Sequence, residues 1–221
     1  MGMEKRDLIS VMISSSVNGY EDQLLRIEAE FTNLDYAVVM SMSGTLRVDP
    51  RLNNFDNCLK AVEDCDLFFG IIRPDCGTGR VGNESITFQE FKHARKCHKP
   101  CWYVIDSQIK SYKKLLKTLV LREFPDTQDE DLNSAVSAYY DKQVRGRKQL
   151  PKVLDIFETK DFRQFDPLCF EMEDFVNQKG MPKETITNNW MQYCDHELDI
   201  ANFIHTNFGN RVFIEDILKE A

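Results

Sequence analysis

The chain has 221 residues, enough for one sizeable domain or one domain with a smaller appendage. Apolar residues make up 42% and charged residues 29%, which excludes a disordered or fibrous chain. The formal charge of -8 and the pI of about 5.1 exclude a general nucleic-acid binder, whose affinity needs a dominant basic surface, but leave room for a local pocket that takes one nucleotide.

Residues 7–14, DLISVMIS, are β-branched and apolar and predict a buried strand. After the loop SSVNGY, the segment YEDQLLRIEAEFTNLD puts Leu24, Ile27, Phe31 and Leu34 on one helical face. YAVVMSM predicts a second strand, and Phe55, Cys58, Leu59 and Val62 recur at helical spacing behind it. DLFFGII predicts a third strand, buried on both faces. Phe88, Phe91, His93 and Ala94 mark the next helix, and CWYVID the fourth strand.

This β-α-β-α-β-α-β order over residues 7–106 predicts an α/β fold: a doubly wound, mostly parallel sheet with right-handed crossovers. Ligands of such sheets sit outside the carboxyl ends of the strands. Three loops converge there, SSSVNG, SMSGTLRVD and RPDCGTGRVGNES. Residues 107–221 read as a mainly helical elaboration packed on that core. SYKKLLKTLVLREF is one helix, and PDTQDEDLNSAVSAYYDKQV a second after Thr127 or Asp129 as cap. RGRKQLPKVLDIF runs from basic to apolar. Trp190, Tyr193, Cys194, Leu198, Ala201 and Ile204 recur at helical spacing and predict one long last helix.

No apolar run reaches the length of a membrane span. MGMEKRDLIS lacks the apolar core of a signal peptide, and Arg6 stands where N-myristoylation takes Ser or Thr. Seven cysteines without a framework pattern read as reduced thiols, so a cytoplasmic location is expected. Cys97, His98 and Cys101 give C-H-x-x-C, short of the four ligands of a structural zinc, and no metal is expected.

Glu90 is the candidate catalytic group. It falls one to two turns into a helix that Ser85 can cap, near the positive end of the helix dipole. Spacing leaves two readings open. Most charged helix residues are solvated. Turned inward, the carboxylate would face the strand ends, where it could stabilise an oxocarbenium ion or capture an anomeric carbon. Ser14, Ser15 and Ser16 offer hydroxyls and backbone N–H groups to ribose or phosphate. Arg73 could pair with phosphate and Asp75 could accept from ribose hydroxyls; an Arg–Asp surface pair around Pro74 is the other reading. CGTGRVG reads as a lid whose closure would bring Arg80 to a bound phosphate.

Several of these segments occur together in one known outline. Ile13-Ser14-Ser15-Ser16, Glu63-Asp64-Cys65-Asp66, Gly70-Ile71-Ile72, Ser85-Ile86-Thr87, Glu90-Phe91, Ala94 and Lys99-Pro100 follow the pattern of a bacterial family catalogued as domain of unknown function 4062. Residues 7–106 resemble that family, which is related in outline to TIR domains and nucleoside 2-deoxyribosyltransferases. The resemblance implies a TIR-like sheet of flavodoxin-like order, with a glutamate, here Glu90, that carries N-glycosidic chemistry. The transferase pattern has an acid six residues before that glutamate and Ala four after it, met by Glu84 and Ala94; Glu84 stands for the usual Asp, and Lys92 for a Gly.

The expected ligand set is Ser14, Ser15, Ser16, Arg73, Asp75, Arg80, Glu84 and Ser85 around catalytic Glu90. The resemblance implies NAD or a related nucleotide as substrate, with no further cofactor. It also implies a homo-oligomer or partner protein and a setting in bacterial defence or signalling; the net charge and the lack of a long apolar run leave neither nucleic acid nor membrane as an expected partner. Two alternatives stand beside an NAD glycohydrolase: a non-catalytic interaction or nucleotide-sensing module, and a nucleoside deoxyribosyltransferase.

Overall fold

The computed structural model describes residues 8–77, 79–82, 84–128, 131–143, 165–182, 187 and 189–220. Five parallel strands form its sheet: β1 (Ser10–Ser14), β2 (Ala37–Val39), β3 (Leu67–Ile72), β6 (Cys101–Asp106) and β7 (Asn189–Cys194), in the order β2-β1-β3-β6-β7. This is the flavodoxin-like order, which changes direction between β1 and β3. Two short strands, β4 (Arg80–Val81) and β5 (Glu84–Ser85), pair antiparallel as a separate ribbon.

Period-2 geometry divides the strand side chains between two cores. Val11, Ile13, Leu67, Phe69, Ile71, Trp102 and Val104 face one layer. It is covered by α1 (Glu21–Asn33), α7 (Glu197–Phe208) and α8 (Arg211–Glu220). Met12, Phe68, Ile72, Tyr103 and Ile105 face the other. That layer holds α2 (Asn54–Asp64), α3 (Ile86–Lys96), α4 (Gln108–Glu123), α5 (Leu132–Gln143) and α6 (Leu168–Val176). Both faces of β3 are therefore buried, which is why LFFGII shows no polar alternation. Each fully buried Phe there contributes about 2–3 kcal/mol of transfer free energy.

Gly70 is required by packing. A Cβ on it would stand 2.6 Å from Tyr103 Cδ1 and 2.7 Å from Phe91 Cζ. Asp66 fixes the entry to β3: its carboxylate accepts from Ser10 N and Ser10 Oγ, both at 2.7 Å.

Two expectations about the later half are corrected. Asn189–Cys194 is a strand, in register with Cys101–Asp106 along its whole length, so the long last helix is instead β7 followed by α7. A six-residue run of Asn, Trp, Met, Gln, Tyr and Cys fits period 2 as well as 3.6, and the open edge of β6 decides. The helix start is set further on by Asp199, whose carboxylate accepts from Asp195 N and His196 N. The second correction concerns α5, which begins at Leu132. Thr127 spends its hydroxyl on the Phe124 carbonyl at the end of α4, 2.9 Å away. Asp129 and the segment RGRKQLPKVLDIF lie outside the described residues. Among the described residues, no helix is long and apolar enough to cross a membrane.

Candidate functional site

At the switch point, the loops after β1 and β3 leave in opposite directions and open a crevice. A cleft of about 240 Å³ lies there, walled by Ser14–Asn18, Cys58, Cys76, Gly77, Gly79, Thr87 and Glu90. α3 aims Glu90 into it. Ser85 caps this helix, accepting from Phe88 N at 3.1 Å, and His93, Arg95 and Lys96 complement the dipole in its last turn. Phe88, Phe91 and Ala94 bury the same side of α3, and this turns Glu90 inward, leaving it 6% exposed.

Two side chains hold the carboxyl. Ser14, the last residue of β1, donates its hydroxyl to Glu90 Oε2. Cys58 of α2 donates its thiol hydrogen. Burial is the larger influence and pushes the Glu90 carboxyl up to about 7, although both donors pull it down. Burial, together with the Glu90 charge, pushes the Cys58 thiol up to about 12, so it stays a donor at neutral pH. Among the described residues lining the cleft, Glu90 is the one charged side chain. The cleft thus suits a neutral or cationic group, and a group near pH 7 can be carboxylate or acid there.

The nine expected residues divide. Ser14, Ser15, Ser16 and Glu90 come together as cleft walls. Arg73 stands behind the loop, where its Nη1 donates to Ser16 O at 3.2 Å and Asn18 O at 3.3 Å and its guanidinium lies over the Tyr20 ring. It faces a separate hollow of about 450 Å³ at the ends of β3, β6 and β7. Asp75 shapes the loop as well: its carboxylate accepts from Gly77 N at 2.8 Å and its carbonyl from Ser16 Oγ at 2.6 Å. Gly77 takes φ +79 there, in the left-handed region that favours glycine. The surface Arg73–Asp75 pair is therefore not what forms.

The remaining three lie away from the cleft walls. Arg80 is paired with Asp166 and lines a different hollow, beside α5 and α6. Glu84 is occupied by Gln89 and Lys92. Ser85 is buried with its hydroxyl oxygen committed to the helix cap. Lys92, where transferases carry Gly, pairs with Glu84 and lies over the Phe88 ring, so it does not line the cleft.

Sequence reasoning missed Cys58, Ser41 and Cys76 as cleft residues. Cys58 showed only a place on the apolar face of a helix, which carries no information about what lies opposite. Thr87 was legible as part of the Ser85-Ile86-Thr87 motif, and it lines the cleft.

Neither the curated proteins nor the solved structures compared with this chain give a match. One family model matches, described as "Domain of unknown function (DUF4062)", over residues 10–161. On that match, which spans more than half of the chain, the protein belongs to the DUF4062 family.

Proposed function

We propose that this protein is a TIR-like nucleotide-binding protein that cleaves the N-glycosidic bond of a nicotinamide nucleotide, with Glu90 as its catalytic carboxylate. One observation carries the reading: a buried carboxyl, held by Ser14 and Cys58, is the one charged group described in a cleft at the switch point. Desolvation raises its pKa, and a cation beside it would lower it again. A pyridinium base and the oxocarbenium ion left by its departure are both cations. The site therefore favours a charged N-glycoside over a neutral deoxynucleoside, which sets the transferase reading second. The cleft volume is below the roughly 300–1,000 Å³ usual for larger ligands, so it takes the nicotinamide–ribose end and leaves the rest of a dinucleotide across the rim.

In the step, the C1′–N bond breaks and its electron pair leaves with nicotinamide. Glu90 stabilises the ribosyl cation, water adds at C1′, and a proton is released. The setting would be bacterial defence or signalling, and assembly with a second copy or partner would complete the pocket.

The test incubates purified protein with NAD and follows nicotinamide by chromatography, for wild type and Glu90→Gln. Release by wild type and loss in the variant are expected. Equal release from both dismisses Glu90 as the catalyst. Saturable NAD binding without release from wild type supports the sensing module instead.

A further inference from the structure

We propose that a second binding site, for a small oxyanion such as a phosphate group, lies at the opposite end of the sheet, around Tyr103 and Arg95. A hollow of about 200 Å³ opens at the start of β6 and β7 and the end of α3, with Arg95, His98, Lys99, Cys101, Tyr103 and Asn189 among its walls. Among the described residues that line it there is no carboxylate. In a chain of net charge -8, a pocket walled by Arg, Lys and His is a local reversal of sign.

The second observation is independent of charge. Tyr103 is fully buried and its hydroxyl has no hydrogen-bond partner. Cys101 lies beside it with its S–H turned to the Lys99 carbonyl at 3.1 Å, so it offers the phenol only a weak sulfur acceptor. Buried hydroxyls are nearly always paired, so an orphan donor on a cavity wall points to an acceptor that enters from outside.

Arg95 is the cation poised for it. Its Nη2 donates to Phe175 O at 2.6 Å and its guanidinium lies 3.6 Å from the Phe175 ring centroid, which fixes the plane of the fork. That leaves most of its five N–H donors uncommitted. Among the described residues, no Asp or Glu forms an ion pair with it. Lys99 adds charge but not a hydrogen bond, because its ammonium is held by the carbonyls of Glu63 and Cys65. The arrangement is that of charge-assisted recognition: one pre-oriented guanidinium and one buried phenol directed at the same space.

The site does not depend on the glycosidase reading and lies at the opposite end of the sheet from Glu90, on the same face. Its test is isothermal titration calorimetry of the full chain with inorganic phosphate and, separately, adenosine 5′-monophosphate, at constant ionic strength against chloride. Wild type is expected to bind one phosphate per chain. Tyr103→Phe should weaken binding about 10-fold without lowering stability to urea, since the hydroxyl has no partner in the protein. Arg95→Gln should abolish binding, and Glu90→Gln should leave it unchanged. Equal affinity for both ligands identifies the free ion as the occupant, and tighter binding of the nucleotide identifies an esterified phosphate. No saturable binding of either ligand overturns the proposal. So does binding that Tyr103→Phe leaves intact, since water alone would then occupy the hollow.

Discussion

Replacing Glu90 by Gln tests the buried carboxyl directly, without any knowledge of substrate. The carboxyl has an ordinary value of 4.5 and titrates at about 7 in the fold. Between these values the native state holds a proton that the unfolded chain has lost, so stability falls as pH rises through that window. At about 1.4 kcal/mol per pH unit of the gap, ionised Glu90 costs the fold about 3 kcal/mol above pH 7, and about 1.4 kcal/mol at pH 5.5. Gln has nearly the same shape and can still accept from Ser14, but it never ionises. Urea unfolding of wild type and Glu90→Gln at pH 5.5 and 8.5 should show the variant gaining about 2 kcal/mol on wild type between the two conditions. Most other titrating groups cancel in that difference. A gap between the proteins that stays constant with pH would refute the reasoning, because it would mean that Glu90 is solvated or already paired with a cation.

Ser14→Ala removes the hydroxyl that favours the Glu90 carboxylate, so the pH profile of nicotinamide release should move alkaline by about one pH unit; Cys58→Ala should move it the same way, by less. Gly70→Ala drives a methyl into Tyr103 and Phe91 and should cost about 1–3 kcal/mol, read as a lower urea midpoint at unchanged m. Lys113→Met should cost about 3–5 kcal/mol by the same measurement. Lys113 holds the buried Glu173 at 2.6 Å and Asp174 at 2.5 Å, and Glu173 would be left with the Tyr193 hydroxyl alone.

The first hundred residues announced their sheet because their strands are buried on both faces. Runs such as LFFGII and CWYVID, separated by helices with an apolar stripe, have one economical arrangement. The helix cap at Ser85 was equally legible, because capping depends on a residue and its neighbours three positions on. Local chemistry of this kind is written in order along the chain. The fifth strand was not legible: Asn189–Cys194 has no strong period of its own, and it became β7 because β6 offered an unpaired edge from 88 positions earlier in the sequence.

The same division runs through the candidate sites. The sequence put Glu90 on a helix and Ser14 at a strand end, but it could not say that 76 positions of separation would close to a hydrogen bond. Nor could it say that Cys58 would be the second donor, or that Arg80 would find Asp166 and Glu84 would find Lys92. Charge and hydrogen-bonding type are properties of a residue and can be read one letter at a time. Burial, the partner a charge finds, and the pKa that follows depend on what the remaining chain brings alongside. For this protein, composition and periodicity determined the doubly wound sheet, and tertiary packing alone decided which acid was enclosed and which were neutralised at the surface.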